Sequence, residues 1–406
     1  TYASGAGTAN LLFTYTIQAG QTDANGIAIG ANALSLNGST LQDPRANTTT
    51  LLAPGTADNS SFTVDTTAPF LSITSNVGQL KSGETANITF TFSEDPGNTF
   101  VWNGSTGDIT LSNGTLSAIS GTGTTRTAVF TPTPSLNTGT ASIAVSSGAY
   151  QDAAGNNGSA GGTPSLTIDT LAPTISNVAL SGSTGILNTY LNENDTANVS
   201  VTFTEAVNLN LTGGSPTLAL LVGSSTVQAT YVSGAGSNTL VFTTTIAAGQ
   251  NDADGIAIAL NALSLNGAVL LDAAGNSASI SSAAVNSNSV YMVDTLAPSV
   301  SLSFNVASLK AGETATLSIT ANDKTGTSFT WNGTAGDLTV SGGTLSAIGP
   351  FVLSGANYVS TATFTPTAGS TTAGVVSTAS AVYTDLAGNP GQVGSSASVS
   401  IDTSVP

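Results

Sequence analysis

The amino-acid sequence predicts an all-β protein, and two observations carry that prediction. Short segments in which apolar and polar residues alternate recur along the chain, whereas the helical period combined with helix caps is missing. Forty-five glycines lie among these segments, as expected for many short strands joined by turns. One segment, 256–265, is ambiguous, because its pattern fits either a helical turn or two short strands.

Composition limits the classes of protein to consider. Hydrophobic residues make up 40% of the 406 residues and charged residues 7%, which favours several buried cores over disorder. The net charge of −17 makes nucleic acid and anionic membrane poor partners. No apolar stretch of about 18 residues occurs, so we expect no membrane insertion in this segment. Cysteine and histidine are both absent from the sequence, which removes thiolate metal sites and the usual catalytic bases and nucleophiles, and we expect no enzyme.

The chain repeats itself. Thr1–Gly7 reads TYASGAG and Thr230–Gly236 reads TYVSGAG, an offset of 229 residues that persists over a long stretch. Four related linkers punctuate this repeat: Asp65–Pro69, Asp169–Pro173, Asp294–Pro298 and Asp402–Pro406. They predict four units: a partial unit of type A without its N-terminal strands (1–68), a type B unit (69–170), a complete type A unit (171–295), and a type B unit with the start of the next linker (296–406).

Each complete unit has the strand pattern of an immunoglobulin-like β-sandwich, which has about seven short strands in about 100 residues. In the complete A unit the predicted strands are 174–180, 197–204, 217–222, 226–232, 239–246 and 289–293. We expect tandem sandwiches arranged as an elongated rod. Trp102 and Trp331 are expected to fill the cores of the two B units.

Acidic residues concentrate where the units meet. The loop Asp-x-x-Gly-Asn occurs at 152–156, 272–276 and 385–389, with a variant at 43–47. In a seven-strand sandwich this loop, the entering linker and the acid that ends the second strand share one pole. The acids that end that strand are Glu94, Glu205 and Asp323. A further pair, Asp252 and Asp254, precedes Gly255 at the opposite pole of the A unit, a spacing that resembles a calcium loop.

These positions give the candidate metal ligands: Asp65, Glu94, Asp152, Asp169, Glu205, Asp272, Asn276, Asp252, Asp254, Asp294 and Asp385. Clustered carboxylates repel one another, and a Ca²⁺ ion with six to eight oxygen ligands would relieve that repulsion and stiffen the hinge between units. Alternatively, the same Asp and Asn residues cap turns by bonding backbone amides, and no metal is involved. The convergence of three acids at one pole favours metal. Asn25, in place of an aspartate, and Asp323-Lys324, in place of Glu94-Asp95, weaken the pattern at the first and last junctions.

These motifs resemble those of the bacterial immunoglobulin-like (Big) tandem repeats of large secreted adhesins and surface proteins. The segments 249–256 and 294–298 carry the resemblance most specifically, and it covers essentially the whole chain. The resemblance implies an extracellular or cell-surface location and repeat stalks that are often rigidified by calcium.

Two functions therefore compete. The first is a structural, adhesive stalk, whose partners are neighbouring copies or further repeats of the same polypeptide. Host or surface ligands would bind through terminal domains outside this sequence. The alternative is a self-assembling subunit of a surface layer, sheath or extracellular filament. An array of sugar-binding modules ranks last, because both tryptophans are assigned to cores.

The first A unit is predicted to be incomplete. Residues 1–68 align with 230–297, which leaves no counterparts for residues 172–229. Half a sandwich exposes its core and needs cover from other strands. We therefore expect an excerpt of a longer repetitive polypeptide, or a chain that a neighbour's donor strand completes.

Overall fold

The computed structural model describes residues 1–162, 164–322 and 328–405, which form two compact units, Thr1–Leu171 and Ala172–Pro406. All regular secondary structure in these described ranges is β-strand. The all-β class predicted from alternation and glycine content is therefore confirmed. The same described ranges contain no helix with the length and apolarity that a membrane crossing needs.

The described residues of the first unit form thirteen strands, and most of the long ones lie beyond residue 70. They are β1 Tyr2–Ser4, β2 Leu12–Phe13, β3 Thr22–Asp23, β4 Val64–Asp65, β5 Leu71–Ser75, β6 Gln79–Leu80, β7 Ala86–Phe92, β8 Ile109–Ser112, β9 Gly114–Leu116, β10 Thr125–Pro132, β11 Gly139–Thr140, β12 Ser142–Val145 and β13 Thr167–Ile168.

Residues 71–168 form a sandwich around one core. One sheet has the order β5-β7-β10-β9, and the other strands form the ladders β11-β13-β6 and β12-β8. Buried and exposed residues alternate along β7 and β10, because successive side chains of a strand point to opposite faces. Trp102 is buried in this core and donates from Nε1 to the Leu116 oxygen, which confirms its predicted role.

The second unit begins with a larger sandwich, built from residues 175–294. Its strands are β14 Ile175–Thr184, β15 Tyr190–Leu191, β16 Thr196–Asn210, β17 Thr217–Val222, β18 Ser225–Ser233, β19 Ser237–Thr245, β20 Asn251–Asp252, β21 Ala257–Ser264, β22 Val269–Leu271 and β23 Met292–Asp294. The main sheet has the order β14-β16-β19-β18-β17-β21, and β22 pairs with β16.

The ambiguous segment 256–265 is a strand in this sandwich. Its pairing with β17 is interrupted: Leu220 faces Ile258 and Leu218 faces Leu263. Asn261 lies between the two paired stretches with a left-handed φ of 51°. This irregularity explains why the sequence of the segment lacks a clean period of two.

A second B-type sandwich follows, from residue 300 to residue 402. Its strands are β24 Val300–Phe304, β25 Ser308–Lys310, β26 Ala315–Ala321, β27 Thr339–Ser341, β28 Gly343–Leu345, β29 Val352–Ser354, β30 Asn357–Pro366, β31 Gly374–Ser377 and β32 Ala397–Asp402. The sheets have the orders β24-β26-β30-β28 and β25-β32-β31-β27, and β29 pairs with β30. Trp331 is buried in this core as predicted.

All three sandwiches close in the same way. The last strand of each pairs in parallel with a short strand near its beginning: β13 with β6, β23 with β15 and β32 with β25. Neighbouring strands are otherwise antiparallel in the described ladders. The chain therefore enters each sandwich at one pole and leaves it at the other.

Residues 1–68 differ from the sandwiches. They form only the short ladders β1-β2 and β3-β4, and they contribute to none of the three buried cores found among the described residues. Many of their large apolar side chains are exposed, including Phe13, Tyr15 and Leu52. This segment accordingly does not close around a core of its own in the structure.

Candidate functional site

Three acids from distant parts of the sequence meet at the entry pole of the first B sandwich. Asp65 ends β4 in the linker, Glu94 follows the end of β7 and Asp152 begins the Asp-x-x-Gly-Asn loop. Each offers a carboxylate oxygen, and these oxygens lie within 4.8 Å of one another. We call these three residues the junction acids. The structure thus brings together one of the acid sets that the sequence predicts.

The linker is anchored beside this cluster by main-chain and side-chain contacts. Phe70 and Ser93 exchange hydrogen bonds of 3.0 Å, which fix the residue next to Glu94 against the incoming chain. The hydroxyl of Tyr150, a buried residue, donates to the Pro69 oxygen at 3.2 Å. These contacts set the position of Asp65 relative to the sandwich.

Asp152 organises the loop that follows it. Its Oδ1 accepts from the amides of Ala154 and Asn156, both at 2.9 Å, and its Oδ2 accepts from Asn156 Nδ2 at 2.8 Å. Gly155 supplies the left-handed φ of 90° that the turn requires. Asn156 Nδ2 also donates to the main-chain oxygen of Asp65 at 3.1 Å, so the same loop holds the linker.

Turn capping, one of the two readings that the sequence left open, is therefore present in this loop. The variant loop makes the same contacts, since Asp43 Oδ1 accepts from the Asn47 amide and Oδ2 from Asn47 Nδ2. These contacts lower the pKa of Asp43. Because Oδ2 of Asp152 has two lone pairs and the bond from Asn156 Nδ2 uses one of them, capping leaves room for a metal ion.

The junction acids carry mutual repulsion. Burial raises the pKa of Glu94, and the nearby carboxylates of Asp65 and Asp152 raise it further. Burial acts to raise the pKa of Asp152 too, but the hydrogen bonds from the side chain and backbone of Asn156, and from the amides of Ala154 and Gly155, outweigh it and lower that pKa. The charged form is therefore disfavoured at Glu94 and favoured at Asp152.

The donor set suits a hard divalent cation. Two oxygens bound to one Ca²⁺ at about 2.3–2.6 Å are about 5 Å apart at most, which matches the spacing of the junction acids. Three carboxylates supply between three and six oxygens, and water completes the coordination of many calcium sites. The arrangement could hold Ca²⁺, with Asp65, Glu94 and Asp152 as its ligands.

The equivalent place in the second unit is built from Asp294, Asp385 and Asn389. Asn389 Nδ2 donates to the Asp294 main-chain oxygen at 2.9 Å and to Asp385 Oδ2 at 2.8 Å, and all three residues are buried. Asp323, the third acid that the sequence assigns to this pole, lies outside the described residues. Metal binding here stays a prediction.

The remaining predicted set is divided between the two units. Asp169 follows β13 in the first unit, where its main-chain amide donates to Leu80. Glu205 lies on β16 in the second unit. Asp272, buried in that unit, accepts from the Asn276 amide at 2.8 Å and from Asn276 Nδ2 at 2.7 Å. Each residue therefore has the place in its own sandwich that the repeat predicts.

The pair Asp252 and Asp254 is held by other contacts. Asp252 is buried, and its oxygens accept from the amides of Gly223 at 2.7 Å and Gly255 at 2.9 Å. A hydrogen bond from the Ser287 hydroxyl lowers the pKa of Asp254. Among the described residues, neither belongs to a group of three acids with ligand atoms within 4.8 Å. A metal site at this pole also stays a prediction.

Sequence reasoning missed two kinds of residue at the junctions. Tyr150 and Tyr383 both precede the loop aspartate by two positions, and both donate to the proline oxygen of a linker. Their recurrence before Asp-x-x-Gly-Asn is a signal in the sequence. Arg126 binds Asp95 at 3.2 Å and the Gly97 oxygen at 2.9 Å, next to Glu94. The other B unit has Ser360 at this position, so the repeat gave no signal for Arg126.

Comparison with known proteins gives one family match. The family described as Bacterial Ig-like domain matches residues 65–170 and 294–403, more than half of the chain. No curated protein sequence matches the chain.

Several solved structures resemble the fold. One is FdeC, an Escherichia coli adhesin, at 16% identity and a TM-score of 0.34, with 82% of this chain and 96% of that chain covered. Another is the I9–I11 tandem of titin, at 8% identity and a TM-score of 0.24, with 83% and 98% covered. A third is the mouse nectin-like molecule 4 ectodomain, at 10% identity and a TM-score of 0.26, with 80% and 98% covered.

Proposed function

This chain belongs to the bacterial Ig-like domain family, and we propose that it is a structural, adhesive repeat region at the cell surface whose domain junctions are stiffened by Ca²⁺. Its role in this proposal is mechanical rather than catalytic. Two features support it: the tandem sandwiches, and a sequence without histidine or cysteine, the commonest bases and thiol nucleophiles.

The junction acids carry the calcium part of the proposal. Asp65 belongs to the linker, whereas Glu94 and Asp152 belong to the sandwich that follows it, so one ion bound to all three would tie linker to domain. The charge of −3 on the cluster is relieved by a divalent ion, and this relief is available only in the folded arrangement. Calcium would therefore stabilise the junction and the sandwich together.

The repeat extends the proposal to the other junctions. Asp169, Glu205 and Asp272 are the sequence counterparts of Asp65, Glu94 and Asp152, and Asp294 and Asp385 are two of the three counterparts at the last junction. We expect up to three junction sites in the chain. The Asn of each loop would support its site by holding the loop aspartate and, at Asn156 and Asn389, the linker.

Calcium titration of the full chain tests the proposal. We expect saturable binding by isothermal titration calorimetry. At a free Ca²⁺ concentration of about 100 times Kd, the gain in unfolding free energy is about 2.7 kcal/mol per site. Amide hydrogen exchange of residues 65–70 should slow when calcium is added and recover its rate when a chelator removes it.

Glu94→Gln supplies the variant for this test, because the amide keeps the shape of the side chain and removes its charge. The calcium stoichiometry should fall by one, and residues 65–70 should no longer respond to calcium. Glu193→Gln, which changes an exposed acid outside the junction acids, is the matched control and should retain the full stoichiometry. An absence of binding heat, together with exchange rates indifferent to calcium, would contradict the proposal.

A second candidate function is the self-assembling subunit of a surface layer, sheath or filament. It is favoured by the low content of charged residues, 7% of the chain, because weakly charged domain faces can pack closely against neighbouring chains. Sedimentation equilibrium of the full chain tests this candidate, since a self-assembling subunit should associate with increasing concentration.

A further inference from the structure

Residues 187–192 form a tight turn near the exit pole of the A sandwich, and we call them the exit turn. Two main-chain hydrogen bonds of 2.8 and 2.9 Å close its base. Asn188 and Thr189 at its tip have left-handed φ values of 50° and 71°. A β-branched residue adopts such a φ only where its surroundings hold it. The Thr189 oxygen accepts from the Met292 amide at 3.0 Å, so the strand that leads into the linker holds the turn in place.

Two asparagines of the exit turn bind the B sandwich that follows in the chain. Asn188 Nδ2 donates to the Leu386 oxygen at 3.0 Å, and Asn192 Nδ2 donates to the Ala387 oxygen at 2.9 Å. Both oxygens belong to the Asp-x-x-Gly-Asn loop of the second B sandwich. The exit turn therefore binds the same loop whose asparagine holds the linker.

The exit turn also covers this loop closely. A Cβ added to Gly388 would lie 3.2 Å from a side-chain carbon of Leu187, which leaves no room for a larger residue without a shift. Ala387 is 1% exposed. Its counterpart in the first B sandwich, Ala154, is exposed, and residues 1–68 contain no counterpart of the exit turn. The burial of Ala387 is therefore due to the exit turn and not to the B sandwich itself.

The linker Asp294–Pro298 is bound to both of the sandwiches that it joins. On the A side, the Thr295 amide donates to Asn251 Oδ1 at 2.9 Å. On the B side, the Pro298 oxygen accepts from the Gln392 amide at 2.9 Å. Two residues lie between these anchors. A hinge needs residues that can absorb large changes in φ and ψ, and this linker offers few of them.

We infer that the exit turn docks on the Asp-x-x-Gly-Asn loop of the following B sandwich and fixes the orientation of the two sandwiches without a metal ion. The asparagine amides are the recognising groups, and the main-chain oxygens at the centre of the loop are their partners. These hydrogen bonds join neutral groups, so they neither need a cation nor weaken as salt screens charges. The inference rests on the proposed mechanical role of the chain but not on calcium. An ion bound by Asp294 and Asp385 would stabilise a junction that is already oriented.

Spin labels on the full chain test this inference, because a sequence without cysteine allows two introduced thiols to be labelled selectively. Ser224→Cys in the A sandwich and Ala356→Cys in the second B sandwich replace exposed residues. Double electron–electron resonance measures the distribution of distances between the two labels. In chelator the distribution should be a single narrow peak, and added calcium should leave its width unchanged.

The docking variant of the labelled chain combines Asn188→Gly with Asn192→Ala. It removes both donors, and glycine keeps the left-handed φ of the turn. The distance distribution should become at least about twofold broader, since domains without a fixed interface move relative to each other. Asn210→Ala with Asn332→Ala is the matched control, because each of these exposed asparagines accepts a bond from an amide of its own sandwich. The control should keep the narrow distribution.

Three outcomes would overturn the inference: a broad distribution in chelator that narrows only with calcium, an unchanged width in the docking variant, or equal broadening in the control. The first of these would leave the calcium proposal standing. A chain that binds no calcium and still gives a narrow distribution, which the docking variant broadens, would instead reject the calcium proposal and support the docking. Amide exchange in the cores of both sandwiches should be the same in all of these chains, which shows that each variant is folded.

Discussion

Asn389 donates a buried hydrogen bond of 2.9 Å from its side chain to the main-chain oxygen of Asp294, 95 residues away in the sequence. Its own amide donates to Asp385 Oδ1, and its side chain also donates to Asp385 Oδ2. A single asparagine therefore joins the linker to the loop that caps the sandwich.

Asn389→Ala should destabilise the second B sandwich. The substitution leaves the Asp294 oxygen and a buried carboxylate oxygen without this donor, at a cost of about 1–3 kcal/mol in unfolding free energy. Native-state hydrogen exchange across residues 300–402 measures the change. Asn47→Ala removes the same turn contact from an exposed loop and should cost less than about 0.5 kcal/mol. Equal effects at both positions would show that the bond to the linker adds nothing.

The pH dependence of the unfolding free energy of the first B sandwich should reveal the electrostatic repulsion between Glu94 and the nearby carboxylates. Because the folded-state pKa of Glu94 is raised, the folded state holds this proton more tightly than the unfolded state does. Without calcium, the unfolding free energy should therefore fall as pH rises from about 4, near the unfolded pKa of glutamate, through the raised folded value. The lowered pKa of Asp152 acts in the opposite sense, with stability lost as pH falls below about 4.

Comparison with Glu94→Gln isolates the glutamate. In chelator at neutral pH this variant should be more stable than the unchanged chain by up to about 1 kcal/mol, the scale of a solvent-screened charge contact. With calcium the order should reverse, because the variant lacks the ligand. Hydrogen exchange of residues 71–168 at several pH values measures both effects. A variant that is less stable in chelator would disprove the repulsion.

Arg126→Ser tests the contribution of the Arg126 side chain, which bonds the loop beside the junction acids. The substitution introduces the residue type that the other B unit has at the equivalent position, Ser360. Arg126 is buried, and the change removes its bonds to Asp95, Gly97 and Gly123. We expect a loss of about 1–3 kcal/mol, since these are charge-assisted bonds to a loop. Lys310→Ser breaks an exposed ion pair with Glu313 and should change stability by less than about 1 kcal/mol. Denaturant unfolding, monitored by amide hydrogen exchange in each sandwich, would distinguish the effect of Arg126→Ser from that of Lys310→Ser.

Gly158→Ala should destabilise the first B sandwich through its tyrosine. A Cβ at this position would overlap the ring of Tyr150, which is buried and anchored to Pro69. Overpacking of this kind costs about 1–3 kcal/mol. Gly78→Ala, where a Cβ meets no neighbour, is the control and should be nearly neutral. Thermal unfolding compares the two glycine variants. Similar melting temperatures would mean that the Tyr150 ring moves aside at little cost.

Strands with clean alternation were predictable from sequence alone. The segment 217–222 has the predicted bounds, and both tryptophans fill the predicted cores, because burial on one face of a strand leaves a period of two in the sequence. The interrupted strand 257–264 was not predictable, since its irregular pairing depends on β17 rather than on its own residues.

The junction acids were predictable because the topology of a sandwich fixes which loops share a pole. The recurrence of tyrosine two positions before the loop aspartate in both B units was visible in the sequence, but its partner was not, because Pro69 lies 81 residues away from Tyr150. The sequence could not separate turn capping from metal binding either. The same aspartate oxygens serve both purposes, and Asp152 already uses them for the turn.

The parallel closure of each sandwich determines how it meets a pulling force. When the flanking linkers are drawn apart, β6 and β13 are pulled in opposite directions along a common axis, and so are β15 with β23 and β25 with β32. Their ladder bonds are then loaded together in shear, rather than opened one after another as in an unzipping hairpin. A tether built from such units would yield abruptly at a threshold tension and extend little below it.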